Sequence, residues 1–170
     1  MIIRTETIDD YKQVYQLNYL AFGNRDDEAQ LVEKIRHTDG FIPELSIVAE
    51  QENQILGHIL LSKASVVDGD KECEVIVLAP IAVHPDDQKR GIGGKLIQEG
   101  VKRCKAAGYP LILLIGHPTY YPKYGFKPAR SYGLNLQQFE VPDNVFMVKE
   151  VIEGSLGTIK GELKYPAVFF

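Results

Sequence analysis

The sequence predicts a mixed α+β (α/β) fold in which one β-sheet combines parallel and antiparallel strands. Two apolar segments, Val75–Val83 and Leu111–Ile115, have the composition of strands covered on both faces. The stretch Lys95–Ala107 between them has the spacing of an amphipathic helix. A strand, a helix and a strand in succession form a parallel pair with a right-handed crossover. Leu45–Glu50 and Gln54–Val67 flank a short polar turn and indicate an antiparallel hairpin.

The other elements complete a single domain over residues 1–170. A chain of this length buries one core, and it contains no linker, repeat or low-complexity tract that would mark a boundary. Further strands and helices are predicted over Met1–Thr5, Tyr11–Ala21, Glu28–His37, Val145–Val148 and Gly161–Tyr165. Thr7 or Asp9 can cap the first of these helices, because both side chains accept hydrogen bonds from free backbone N–H groups.

Composition excludes several classes of protein. Hydrophobic residues make up 45% of the chain and charged residues 25%, as in ordinary globular proteins. The 19 basic and 23 acidic residues give a net charge of −4, so we expect no nucleic-acid partner. The sequence has no bilayer-length apolar run, no leader-like segment and no paired cysteine spacing, which predicts a cytoplasmic protein without a membrane partner. We expect a monomer or a homodimer, and no metal, because no ligand set has metal spacing.

A basic, glycine-rich turn joins the first apolar strand to the predicted helix. Its sequence over Val83–Gly94 is V-H-P-D-D-Q-K-R-G-I-G-G. Such a turn presents free backbone N–H groups and the positive end of a helix dipole to an anion. Its glycines lack a Cβ, so a phosphate can come close to the main chain. Lys89 and Arg90 add positive charge, and the turn is therefore predicted to bind a pyrophosphate.

Three phosphate-binding motifs are candidates for this turn. The P-loop, G-x-x-x-x-G-K-[ST], fails because Leu96 follows Gly94-Lys95. The dinucleotide fingerprint, G-x-G-x-x-G, fails because Leu96 occupies the place of its third glycine. The pattern Q-x-x-G-x-G after a strand ending in V-x-P matches Gln88–Gly93 at every position. A turn that binds nothing is the alternative, but it has no need of two basic residues beside three glycines.

With its flanking strand and helix, this pattern resembles motif A of the GNAT superfamily of N-acetyltransferases, which bind acetyl-coenzyme A. Downstream, I-G-H-P-T-Y-Y-P-K-Y-G-F over Ile115–Phe126 is similar to the motif B region. Together with F-M-V-K-E and K-Y-P-A-V-F-F near the C-terminus, it resembles the YhbS-like branch of that superfamily. The resemblance covers nearly the whole chain. It implies acetyl-CoA as co-substrate and leaves the acceptor open.

The resemblance also implies a three-layer fold, with helices on both faces of a central mixed sheet and a splayed pair of parallel strands. Pro80 lies within the first of those strands, and a proline cannot donate to a strand ladder. We therefore expect a bulge there, with main-chain groups near Ile81–Val83 free to bind the pantetheine arm and polarise the thioester carbonyl. The alternative is that Pro80 only ends the strand early.

The residues expected to bind acetyl-CoA belong to this strand end and to the turn. They are Ile81, Ala82, Val83, Gln88, Lys89, Arg90, Gly91, Ile92, Gly93, Gly94 and Lys95.

By resemblance, Tyr121 is the expected catalytic acid, because it lies four residues before Gly125. A tyrosine hydroxyl near the sulfur can protonate the leaving thiolate. Tyr120 and Tyr124 are alternatives, and Tyr121 can also serve only as a packed aromatic ring. No general base is assigned: His117 can equally be a turn residue, and a water chain can deprotonate the amine.

The predicted reaction is acetyl transfer from acetyl-CoA to a primary amine of a small molecule or peptide, by direct attack on the thioester. Two alternatives remain open. One is a non-catalytic module that binds or senses acyl-CoA, and the other is a transferase that uses a longer acyl donor. Function resides in sites that differ between proteins of one fold, so the sequence does not name the acceptor.

Overall fold

The computed structural model describes all residues from Met1 to Phe170 and forms one nine-stranded mixed sheet with three α-helices. The strands are β1 (Ile2–Thr5), β2 (Ser46–Gln51), β3 (Gln54–Asp68), β4 (Lys71–Val83), β5 (Leu111–Ile115), β6 (Lys127–Pro128), β7 (Leu134–Asn135), β8 (Phe146–Glu150) and β9 (Gly161–Lys164). The helices are α1 (Tyr11–Ala21), α2 (Asp27–Arg36) and α3 (Ile92–Ala107). The strand order is β1-β2-β3-β4-β5-β8-β6, with β9 pairing β3 and β7 pairing β9. No helix is both long and apolar enough to cross a bilayer.

Both predicted strand pairings are confirmed. The strands β4 and β5 are parallel, with Ile76 opposite Ile112 and Val77 opposite Leu113. The strands β2 and β3 form the antiparallel hairpin. Its two turn residues, Glu52 and Asn53, have φ angles of 53° and 65°, as a type I′ hairpin turn requires. The sheet therefore contains the parallel and antiparallel strands that the sequence predicts.

The chain divides into two compact units. The first contains residues 1–62, 79–103 and 170, and the second contains residues 63–78 and 104–169. Both β3 and β4 are divided between the two units, so neither unit is one continuous stretch of the sequence.

In the first unit, the two faces of β3 carry different helices. A Cβ placed on Gly57 would lie 2.8 Å from Ile92 and 2.9 Å from Leu96, both in α3. The adjacent residue His58 faces the other way, and its ring lies 3.7 Å from Glu6, which is paired with Arg36 of α2. Because successive side chains of a strand point to opposite faces, helices cover both faces of the sheet here.

The second unit has its own apolar core beneath β5 and β8. Its largest fully buried side chain is Phe146 of β8, which pairs with Ile115 of β5. The two strands pair over five register positions, from Leu111 opposite Glu150 to Ile115 opposite Phe146. The buried side chains of this core are Ala64, Val66, Val75, Val77, Leu111, Leu113, Ala129, Leu134, Leu136, Phe146, Val148, Leu163 and Tyr165.

The structure corrects two boundaries. The strand β4 begins at Lys71 and continues through Pro80 to Val83, so the alternative that Pro80 ends the strand early is wrong. The Ala79–Pro80 peptide is cis. The helix α3 begins at Ile92, three residues before the predicted start at Lys95. Glycines weaken a helix, but burial of the Ile92 side chain against Gly57 outweighs that tendency.

Candidate functional site: the turn between β4 and α3

Hydrogen bonds hold the turn that follows β4 onto the neighbouring strand. The N–H of His84 donates to the carbonyl of Leu56, at 2.8 Å. The Nδ1 atom of His84 accepts a bond from the N–H of Asp86, at 3.2 Å, and the side-chain amide of Gln88 donates to the carbonyl of Val83, at 3.4 Å. These hydrogen bonds therefore fix the backbone of the turn before its first glycine.

Two residues of the turn adopt left-handed backbone angles. Gly91 has a φ of 81° and Lys89 has a φ of 64°. Positive φ is uncommon for a residue with a side chain, so the turn places Lys89 in a backbone conformation that few such residues adopt. A Cβ on Gly91 would have no atom within 4 Å, which leaves its surface open to a ligand.

The first turn of α3 presents unpaired backbone donors. The first intrahelical bond runs from the N–H of Lys95 to the carbonyl of Gly91, at 3.1 Å. The N–H groups of Ile92, Gly93 and Gly94 have no acceptor in the protein. Unpaired N–H groups at a helix start form a binding site for an anion.

The charged side chains of the turn have different environments. Arg90 forms a salt bridge with Asp87, with Nη1 and Oδ1 2.5 Å apart, so its charge is partly neutralised within the turn. Lys89 and Lys95 are exposed and form no ion pair. The two lysines are therefore the free cations beside the unpaired N–H groups.

An open groove of about 520 Å³ lies between α1 and this turn. Its walls include the apolar side chains of Leu17, Leu20 and Leu56 together with His84 and Asp86. No group of three or more His, Cys, Asp or Glu side chains is arranged to hold a metal ion.

The second unit contains the tyrosine cluster. Tyr121 begins a short 3₁₀ turn, and its ring packs edge-on against Tyr120 at 5.0 Å and Phe126 at 5.8 Å. Burial raises the pKa of Tyr121 to about 12. No protein group hydrogen-bonds to its hydroxyl. Burial, and then the neighbouring hydroxyl of Tyr124, raises the pKa of Tyr120, and the rings of these two tyrosines pack against each other with centroids 5.4 Å apart.

His117 is exposed, and the structure gives its side chain no hydrogen bond. Its carbonyl accepts the N–H of Tyr120, at 3.2 Å, which makes His117 the first residue of a turn.

Sequence reasoning missed a buried polar network in the first unit. Glu6 accepts bonds from Arg36, at 2.6 Å, and from the hydroxyl of Ser46, at 2.9 Å. The same hydroxyl lies 3.0 Å from Nε2 of His58. Burial, and then the charge of Arg36, lowers the pKa of His58 to about 3, so the ring is neutral at physiological pH. No local motif marks these residues, because they come from four separate segments.

The comparisons with known proteins agree with this geometry. The family model described as "Acetyltransferase (GNAT) domain" matches residues 2–129. This chain is a GNAT acetyltransferase family member. The alignment to the uncharacterised N-acetyltransferase YjhQ of Escherichia coli strain K12 is 35% identical over 121 residues, spanning 71% of this chain and 66% of that protein.

Two solved GNAT structures share the whole fold. The N-acetyltransferase YhbS from Escherichia coli, crystallised with CoA, matches with a TM-score of 0.90 and 25% identity over 99% of this chain and 91% of that one. An acetyltransferase from Brucella melitensis, crystallised with acetyl-CoA, matches with a TM-score of 0.80 and 30% identity over 99% and 97%. The expected mixed sheet with helices on both faces is therefore the GNAT fold.

Proposed function

We propose that this GNAT protein transfers the acetyl group of acetyl-CoA to a primary amine of a small molecule or peptide. The observation that carries the proposal is the set of unpaired N–H groups at Ile92, Gly93 and Gly94, with the free cations of Lys89 and Lys95 beside them. A pyrophosphate satisfies both features, because it accepts several hydrogen bonds and carries negative charge.

The remaining residues of the proposed cofactor site have separate roles. The backbone of Ile81, Ala82 and Val83 binds the pantetheine arm and polarises the thioester carbonyl. The ladder between β4 and β5 ends at Val77 and Leu113, which supports this role, because the later part of β4 has no register partner in β5. Gln88 and Arg90 shape the turn through their bonds to Val83 and Asp87.

In the proposed reaction, the amine nitrogen attacks the thioester carbonyl carbon. A C–N bond forms, the C–S bond breaks, and the amine gives its proton to solvent water, which returns a proton to Tyr121 after each turnover. Tyr121 gives its hydroxyl proton to the leaving thiolate. The observation that supports Tyr121 in this role is that no protein group hydrogen-bonds to its hydroxyl, so its proton is available to the thiolate.

Free thiol release from acetyl-CoA, measured over a panel of primary amines, tests the proposal. We expect release that depends on both the enzyme and one class of amine, with the acetylated amine identified by mass spectrometry. Tight acetyl-CoA binding without thiol release from any amine would favour a binding or sensing module. Faster release from longer acyl-CoA donors would favour a different acyl specificity.

A further inference from the structure

His84 directly follows β4, and its side chain faces two carboxylates of the glycine-rich turn. Its Nδ1 atom is 3.8 Å from Oδ2 of Asp86 and 3.8 Å from Oδ2 of Asp87. The same Nδ1 accepts the backbone N–H of Asp86, at 3.2 Å. An imidazole nitrogen accepts a hydrogen bond only when it carries no proton. This bond therefore identifies the ring as neutral, with its proton on Nε2.

Asp87 is the carboxylate that connects His84 to the basic part of the turn. Its Oδ1 accepts a bond from Nη1 of Arg90, at 2.5 Å, while its Oδ2 faces His84. The side chain of Asp87 is only 19% exposed, against 90% for Asp86. Water screens an exposed charge more than a shielded one. The charge of Asp87 therefore acts more strongly on His84 than that of Asp86 does.

The groove between α1 and the turn adds one more charge to the surroundings of His84. Lys12 is the charged side chain that α1 contributes to this groove, and the β2–β3 hairpin contributes none. Carboxylates titrate below, and lysine ammonium groups above, the range in which an imidazole changes its charge. His84 is therefore the group of this groove whose charge changes near neutral pH.

Protonation of His84 would reverse its contacts in the turn. A protonated Nδ1 donates and no longer accepts, so the bond from the N–H of Asp86 would be lost. The charged ring would attract the carboxylate of Asp87 in competition with Arg90. The side chain of Arg90 is 50% exposed and directly precedes Gly91. Its guanidinium is therefore free to turn towards an anion bound at the start of α3.

We propose that His84 is a positioning residue for the cofactor, which when protonated draws Asp87 from Arg90 and so releases the guanidinium to the pyrophosphate. Protonation also adds a positive charge beside the turn, and this second effect has the same sign. Binding of the pyrophosphate should therefore tighten as the pH falls, and the bound anion should in turn favour the protonated ring. The inference rests on the proposed function, since it takes this turn as the cofactor site.

Calorimetry with acetyl-dephospho-CoA at several pH values tests the inference. This probe keeps the pyrophosphate and lacks the 3′-phosphate, since a phosphate monoester titrates at about pH 6 and would mask the titration of the protein. We expect the wild type to bind the probe at least about threefold more tightly at about pH 5.5 than at about pH 8, because an imidazole titrates between these values. His84→Gln, whose amide can still accept the N–H of Asp86, should bind equally at both.

Two further variants separate the positioning role from an effect of charge alone. Asp87→Asn should bind the probe at about pH 8 at least about threefold more tightly than the wild type, because no carboxylate then holds Arg90. It should also lose most of the pH dependence. His37→Gln removes an exposed histidine at the end of α2 that does not line this groove, and it should keep the wild-type profile.

Equal affinity of the wild type at both pH values, or a pH dependence that persists in His84→Gln, would overturn the inference. A full pH dependence in Asp87→Asn would also overturn it, since His84 would then act by its charge alone. Thiol release separates the two proposals. A pH profile that depends on His84, without acetylation of any amine, rejects the proposed function alone. Acetylation by an enzyme whose affinity for the probe does not change with pH rejects this inference alone.

Discussion

Arg36 and Glu6 form an ion pair that is shielded from water, with Nη2 and Oε2 2.6 Å apart and side chains only 7% and 1% exposed. Arg36 also stacks on Tyr11, with the guanidinium carbon 3.6 Å from the ring centroid. The pair connects the end of α2 to the segment that follows β1. Because both side chains are buried, water cannot solvate either charge if its partner is removed. Each charge is therefore stabilised by the other.

Loss of one partner of this pair should destabilise the protein strongly. We expect Glu6→Gln to lower the free energy of unfolding by about 3–5 kcal/mol, because Arg36 then remains buried without a counter-charge. Chemical denaturation measures the loss. The exposed pair of Arg25 and Asp27, at 72% and 62% side-chain exposure, is the control: Arg25→Gln should cost about 0–1 kcal/mol. Equal losses of unfolding free energy in Glu6→Gln and Arg25→Gln would show that burial does not determine the cost of breaking an ion pair.

His58 should make stability depend on pH. Its pKa is lowered from 6.5 to about 3 in the folded protein, so the unfolded chain binds more protons between these values. The contribution of neutral His58 to the free energy of unfolding is therefore complete above about pH 6.5. It is lost as the pH falls towards 3, with a slope of at most about 1.4 kcal/mol per pH unit. Denaturation of the wild type and His58→Gln across this range checks it. Parallel pH profiles would count against the prediction, since Asp10 and the other carboxylates are common to both proteins.

Charge at Gly91 should control cofactor binding. Both Asp and Asn tolerate a left-handed backbone and cap a helix, and a side chain at Gly91 meets no atom within 4 Å. Gly91→Asp and Gly91→Asn should therefore fold alike. We expect acetyl-CoA affinity in calorimetry to be at least tenfold weaker for Gly91→Asp than for Gly91→Asn, about 1.4 kcal/mol. Equal affinities would show that the pyrophosphate lies elsewhere.

Removal of the Tyr121 hydroxyl should reduce turnover without altering the fold. Tyr121→Phe keeps the ring contacts with Tyr120 and Phe126 and breaks no protein hydrogen bond. We expect kcat to fall at least about tenfold, the lower end of what a general acid contributes, with unchanged affinity for acetyl-CoA. Tyr124→Phe is the control, because it removes a hydroxyl from the same aromatic cluster, and it should retain kcat. A loss of kcat in Tyr124→Phe but not in Tyr121→Phe would make Tyr124 the acid. Unchanged kcat in both variants would mean that the reaction needs no side-chain acid.

The sequence by itself determined the longer strands and helices and the position of the turn between β4 and α3. Continuous apolar runs identify β4 and β5, because a strand covered on both faces needs apolar side chains at every position. Glycines and basic residues mark the turn, because a phosphate requires free backbone N–H groups and positive charge. These signals are local, and each is contained within about twelve residues of the chain.

Tertiary structure alone decided the features that depend on distant contacts. The helix α3 starts at Ile92 because that side chain packs on Gly57, which lies 35 positions earlier in the chain. The salt bridge of Arg36 with Glu6 and the unpaired oxygen of Asn18 have no local signature either. Whether a buried polar group is paired depends on which segments the fold brings to it, and a single stretch of sequence does not contain that information.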